Sequence, residues 1–224
     1  MEFSDWEPYY LQIVKEFGYS IDDDMRSAQL LGHLCEGKDI CHPPCLQRHI
    51  GEEVTVLGHG PKLERTLRTV ELKGTVITAD GATSVIMHEL GRVPDIIVTD
   101  LDGDVPDQIA ANAQGAVAVV LAHGDNVEKV RRFIPWFTGP ITPTTPAHPF
   151  DRVYNFGGFT DGDRAVVMAR HFGAKKIHLL GFEYDSPRYK EGRDRTIKVN
   201  KLRCARKFIW DLNPPSVELL APEI

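Results

Sequence analysis

Six short apolar runs punctuate the chain after residue 48: EEVTVLG, GTVITAD, PDIIVTD, AVAVVLAHG, GPITPTT and KKIHLLGFE. Each is continuous rather than alternating, and each gives way to small or polar residues. Stretches with helical spacing lie between them, among them KLERTLRTVEL, ATSVIMHELG, NVEKVRRFIPWF and DRAVVMARHFG. Continuous apolar strands alternating with helices predict a parallel sheet covered on both faces, because such strands have no polar side to show to water. The expected fold class is α/β: a Rossmann-like, doubly wound, mostly parallel sheet. A last helix, TIKVNKLRCARKFIWDL, is closed by NPP.

Upstream the rhythm is helical. In DWEPYYLQIVKEF, Trp6, Tyr10, Ile13, Val14 and Phe17 fall on one face. Ser20 with Asp23 resembles a capping box before DMRSAQLLGHL, and GKDICHPPC, rich in turn formers, ends the pattern. The chain reads as a small helical N-terminal piece over residues 1–48 and a Rossmann-like domain over residues 49–224.

Composition narrows the function. With 224 residues, 42% hydrophobic and 26% charged, the chain can bury a real core. A net charge of -6 excludes a broad nucleic-acid-binding surface. No apolar run approaches the ~18 residues of a membrane span. MEFSDWEPYY lacks the basic and apolar regions of a signal peptide, so a cytoplasmic protein is expected. The cysteines do not suggest a disulfide framework. Cys35, Cys41 and Cys45 cluster with His33, His42 and His49, without a second ligand pair downstream. Free thiols and histidines at a subdomain junction are expected ahead of a structural zinc. A homo-oligomer is compatible with everything in the sequence.

Ligands of open α/β sheets bind beyond the carboxyl ends of the strands. The residues following the runs are therefore the candidates: Gly58-His59-Gly60-Pro61, Asp80, Asp100-Leu101-Asp102-Gly103-Asp104, His123-Gly124-Asp125, Thr144-Thr145 and Gly181-Phe182-Glu183. In extended chain Asp100 and Asp102 point the same way. Carboxylates gathered at one edge repel unless a cation neutralises them, and Mg²⁺ suits oxygen ligands and phosphates. At least two of Asp80, Asp100, Asp102 and Asp125 are expected to be metal-linked; the alternative is that some cap helices. An EF-hand is excluded by Val105 and Ala111 in DLDGDV and beyond.

Gly58 and Gly60, followed by Pro61, suit either a phosphate-binding turn or a plain tight turn. GxGxxG fails at Leu63, and the Walker sequence is absent. In NFGGFTDGDRAV, Asn155, Gly157 and Gly158 suit a tight loop, and Thr160 and Asp161 suit a cap. Arg164 in the first helical turn asks for an anionic partner, unless it is simply solvated. The basic segment SPRYKEGRDRTIKVNKL, with Lys198 and Lys201 on one face, can close on a polyphosphate or be a solvated face. His123 beside Asp125 is a candidate base or orienting group, or a structural histidine.

TADGA, VPDIIVTDLDGD, AHGDN, NFGGFTDGDRAV and LLGFEYD together resemble the archaeal 6-hydroxymethyl-7,8-dihydropterin pyrophosphokinase family. Trp6, Tyr10 and Phe17-Gly18-Tyr19 near the start, and Lys198 and Lys201-Leu202 near the end, extend the resemblance over nearly the whole chain. The ADGA and PDIIVTDLD pieces are also similar to thiamine pyrophosphokinase. Thr99 and Gly103 depart from its GDxDS pattern, which makes thiamine the poorer substrate. The resemblance implies Mg²⁺-dependent transfer of diphosphate from ATP to the hydroxymethyl group of the dihydropterin, releasing AMP. That is a step in tetrahydromethanopterin or folate-type cofactor synthesis. On this reading Asp100 and Asp102 hold Mg²⁺, assisted by Asp80 and Asp125. Gly58, Gly60, Arg164, Lys198 and Lys201 hold phosphates. Asn155, Thr160, Asp161 and Asp163 face the pterin, the last two alternatively the metal, and His123 is a candidate base. Two rivals remain: a glycosyltransferase using a nucleotide-sugar, since a related domain occurs in larger proteins proposed to modify flagellin, and a non-catalytic nucleotide-binding module.

Overall fold

The structure, a computed structural model, describes residues 1–184 and 195–221. Seven strands form one sheet: β1 (Glu53–Leu57), β2 (Thr75–Ala79), β3 (Ile96–Thr99), β4 (Val117–Leu121), β5 (Ile141–Thr144), β6 (Lys176–Leu180) and β7 (Glu218–Leu220). Their order is β5-β4-β3-β2-β1-β6-β7, and every pairing is parallel. The six apolar runs are six of these strands. β7 carries no such signal, because its three residues stay partly exposed along the edge of β6.

The runs are continuous because both faces are covered. Val54 and Val56 join one core layer with Ala165, Val166 and Ala169 of α8 (Asp161–His171). Their neighbour Leu57 joins the opposite layer with α4 (Leu63–Leu67) and α5 (Ala82–Leu90). This is the two-residue alternation of a strand, with apolar groups needed on both sides. The expected helix KLERTLRTVEL shortens to α4, and α6 (Val105–Ala113) and α7 (Val127–Phe133) follow β3 and β4.

At the N-terminus, α1 (Phe3–Phe17) ends at Gly18 in the left-handed conformation, and α2 (Ile21–Leu34) is capped by the Ser20 side chain, which accepts from Asp23 N. Both share cores with the sheet domain: Trp6 and Tyr10 pack with Phe208, and Leu31 and Cys35 with Val120 and Ile134. α3 (Pro43–His49) leads into β1. Here the structure corrects the sequence reading, since Cys41 and Cys45 are not free thiols but a disulfide with Cα atoms 5.3 Å apart. Cys35 and Cys204 are free.

The closing helix is also not uniform. α9 (Arg195–Arg206) passes into a π-helical turn at Lys207–Asp211. Arg170 of α8 donates to the carbonyls of Phe208 (2.8 Å) and Ile209 in that turn. No helix among the described residues is long and apolar enough to cross a membrane.

The strand order reverses between β1 and β6. Such a reversal splits the connecting segments apart and opens a crevice at the carboxyl edge.

Candidate functional site

A cleft of about 840 Å³ lies over that edge. The loops after β1, β2, β3, β4 and β6 form its floor, and the α1–α2 turn, the start of α8 and one side of α9 form its walls.

Three carboxylates converge on the floor. Asp80, Asp100 and Asp161 can each place an oxygen within 4.8 Å of the others. The local chain explains how. Asp80 follows β2 with φ 47, and Leu101 follows Asp100 with φ 64. An aspartate tolerates that region, whereas a leucine there is strained and is held by burial and by its N–H donating to Thr99 Oγ1 at 2.8 Å. Asp80 Oδ1 accepts from Gly103 N (2.7 Å), Gln108 Nε2 (3.1 Å) and Thr99 Oγ1 (3.0 Å), which orients the carboxylate. Gly103 has to be glycine: a Cβ would lie 2.8 Å from Gly81 N.

Asp100 Oδ1 and Asp161 Oδ1 are buried without a hydrogen-bond partner. Burial, then the charges of Asp100 and Asp80, hold the Asp161 carboxyl well above the usual range, with Arg164 opposing. Burial also pushes Asp100 up, but the hydrogen bond and charge of His123 bring it below the usual range. Orphaned oxygens on two neighbouring buried carboxylates are what a hard divalent cation with oxygen ligands would satisfy.

The other expected residues fall in various places. Asp102 lines the cleft and its charge still acts on Asp100, but it stands outside the three-carboxylate group and pairs with Lys129 Nζ at 2.5 Å. Asp125 is exposed on the rim. His123 Nε2 lies 3.5 Å from Asp100 Oδ2, while its Nδ1 accepts from Asp125 N at 3.2 Å. The Gly58 and Gly60 N–H groups donate to Leu180 O (2.8 Å) and Gly181 O (2.9 Å), so these glycines permit close approach of the loops after β1 and β6. Asp163 accepts from Phe159 N (2.5 Å) and Thr160 N (2.7 Å), capping α8. Asn155 donates to Pro146 O and Ala147 O and accepts from Gly157 N, holding its own loop.

Arg164 is buried beneath the cleft, donating to Gly158 O (3.0 Å) and Thr144 Oγ1 (3.3 Å), and burial pulls its pKa down to about 10. Lys198 and Lys201 line the cleft, and Lys201 Nζ sits 5.4 Å from the Tyr19 ring centre and 5.6 Å from that of Phe159. The first part of the basic segment, residues 186–194, lies outside the described residues.

Sequence reasoning gave no role to Asp24 or to the Tyr19–Phe159 wall. Asp24 is buried, accepting from Tyr10 OH and Gly124 N, both at 2.7 Å. The signal was available: with Ser27, Ala28 and Leu31 it occupies the buried face of α2. A carboxylate on an apolar face needs partners.

A family model described as MptE-like, 6-hydroxymethylpterin diphosphokinase MptE-like, matches residues 34–188. The 6-hydroxymethyl-7,8-dihydropterin pyrophosphokinase of Pyrococcus furiosus is 43% identical over 219 residues, 93% of each chain. That of Methanocaldococcus jannaschii is 36% identical over 229 residues, 93% of this chain and 95% of the other. That of Methanothermobacter thermautotrophicus is 42% identical over 192 residues, 82% and 79%. Among solved structures, the MAf glycosyltransferase from Magnetospirillum magneticum AMB-1 superposes with a TM-score of 0.50 at 14% identity, over 77% of this chain and 33% of that one, a likeness of fold alone.

Proposed function

Because the chain belongs to the MptE-like 6-hydroxymethylpterin diphosphokinase family, we propose that it transfers diphosphate from ATP to 6-hydroxymethyl-7,8-dihydropterin, giving the pterin diphosphate and AMP. The hydroxymethyl oxygen attacks the β-phosphorus, a P–O bond forms there, and the bond to the α-phosphate oxygen breaks as AMP leaves. The observation that carries the reading is the convergence of Asp80, Asp100 and Asp161 at the carboxyl edge of the sheet, beyond β2 and β3, with two buried oxygens lacking partners. Those residues fit Mg²⁺, which when bound would offset the negative charge of the phosphates.

The chain's own groups do the positioning. Lys198 and Lys201 line the same cleft from α9 and supply positive charge for the phosphates. The Tyr19 and Phe159 rings offer a wall for a planar heterocycle. His123 fixes the rotamer of Asp100. Holding the hydroxyl and the phosphate together supplies ~7–11 kcal/mol of barrier reduction in favourable cases.

The test incubates the protein with ATP, Mg²⁺ and 6-hydroxymethyl-7,8-dihydropterin, then quantifies AMP and pterin diphosphate. Both should form in equal amounts, vanish with EDTA, and be lost in a folded Asp100→Asn variant. No AMP from folded wild-type protein would reject the activity, and near-full turnover by Asp100→Asn would reject the metal role.

A further inference from the structure

At the amino ends of the strands, on the side of the sheet away from the cleft, Cys41, Cys45 and His49 bring two sulfurs and an imidazole nitrogen within 4.8 Å of one another. We propose that the reduced form of this segment binds one thiophilic divalent cation of the zinc class, and that the Cys41–Cys45 disulfide is the oxidised, metal-free state of the same site.

The placement is built by the local fold. Cys45 and His49 are four residues apart, one helical turn, on one side of α3, and Cys41 lies just before its N-cap, close enough to Cys45 to be disulfide-bonded to it. Both ends of the segment are fixed to the sheet. Cys41 N donates to Ile141 O at 2.9 Å, and Cys41 O accepts from Thr142 Oγ1 at 2.7 Å. His49 O accepts from Thr75 Oγ1 at 2.8 Å. Pro43 and Pro44 stiffen the first turn between them.

Burial grades along the set: Cys41 is buried in the main core, Cys45 is partly buried against it, and His49 is exposed. A cation can therefore arrive from solvent at the imidazole and seat against sulfurs in apolar surroundings. A thiolate there without a cation would be costly. Zinc–sulfur and zinc–nitrogen bonds of ~2.3 and ~2.0 Å require donors ~3–4 Å apart, which the two sulfurs reach once their bond is broken. Three protein donors leave the fourth position to water.

The interconversion balances. A dithiol reductant supplies two electrons and two protons, the Cys41–Cys45 bond is cleaved to two thiols, and the reductant becomes a disulfide. Cation binding then releases the two thiol protons to solvent, and two thiolates neutralise the divalent charge. Either state ties the segment between α2 and β1.

The test titrates Co²⁺ into the intact chain, reduced with a phosphine, and follows thiolate-to-cobalt charge-transfer absorption while circular dichroism reports folding. One equivalent should produce the band. Re-forming the disulfide or introducing Cys45→Ser should abolish it, and His49→Ala, at an exposed position, should weaken binding by about tenfold or more. Asp100→Asn should leave the band intact, because carboxylates in the cleft give no thiolate absorption. Folded, reduced protein without the band would overturn the proposal. So would a band that survives Cys45→Ser, or an affinity that His49→Ala leaves unchanged.

Discussion

Asp161 carries an electrostatic cost in the cleft. Burial, then the charges of Asp100 and Asp80, raise its pKa well above 3.8, so the folded chain keeps this proton at pH values where the unfolded chain has lost it. Its contribution to stability is therefore full below the unfolded pKa and is lost as pH rises through the folded one. Asp100 behaves oppositely: with its pKa lowered, its contribution is present at higher pH and lost as pH falls. In EDTA at pH 8, Asp161→Asn should raise Tm by about 2–4 °C, the shift given by ~1 kcal/mol in a chain of this size. The gain should shrink towards pH 4, and Mg²⁺ should stabilise the wild type but not the variant. Thermal melts across pH check this, and a lower Tm for Asp161→Asn at pH 8 would contradict the repulsion described.

Between elements, backbone approach and buried polar bonds set the cleft's shape. A Cβ on Gly60 would lie 2.5 Å from Gly181 O, so Gly60→Ala must separate the loops after β1 and β6. We expect a cost of about 1–3 kcal/mol, with activity and Tm falling together. Activity lost at unchanged Tm would instead favour a phosphate contact at that turn. Asp24 joins α1, α2 and the loop after β4 through Tyr10 and Gly124. Burial, then the hydrogen bond to Asp24, keeps the Tyr10 hydroxyl protonated beyond its usual range. Asp24→Asn turns an amide towards two donors and should cost about 1–3 kcal/mol. Urea unfolding of Asp24→Asn, Tyr10→Phe and the double variant should give strongly non-additive losses, since both touch one hydrogen bond. Simple additivity would show that the two groups act separately. These links were only partly legible in sequence: the buried position of Asp24 follows from helical spacing, but of its two partners Tyr10 is on another helix and Gly124 is in a loop 100 residues away.

Across the whole molecule, α9 brings Lys201 from near the end of the chain onto rings of the α1–α2 turn and of the loop before α8. Lys201→Ala should raise the KM for ATP about tenfold or more, the loss of one charge-assisted contact, while Tm moves by less than about 2 °C. Steady-state kinetics and melts together check this, and an unchanged KM would remove Lys201 from the phosphate site. The sequence by itself determined the parallel α/β sheet and pointed to the carboxyl edge over which the cleft lies. Strands buried on both faces must be apolar throughout, and the residues that end them are then recognisable one run at a time. Only the tertiary structure decided which carboxylates meet. The crossover from β5 to β6 returns Asp161 to the ends of β2 and β3, and the left-handed turn at Leu101 sends Asp102 to Lys129 instead. Neither outcome is encoded in local spacing, because long-range return and a single strained dihedral leave no periodic trace in the chain.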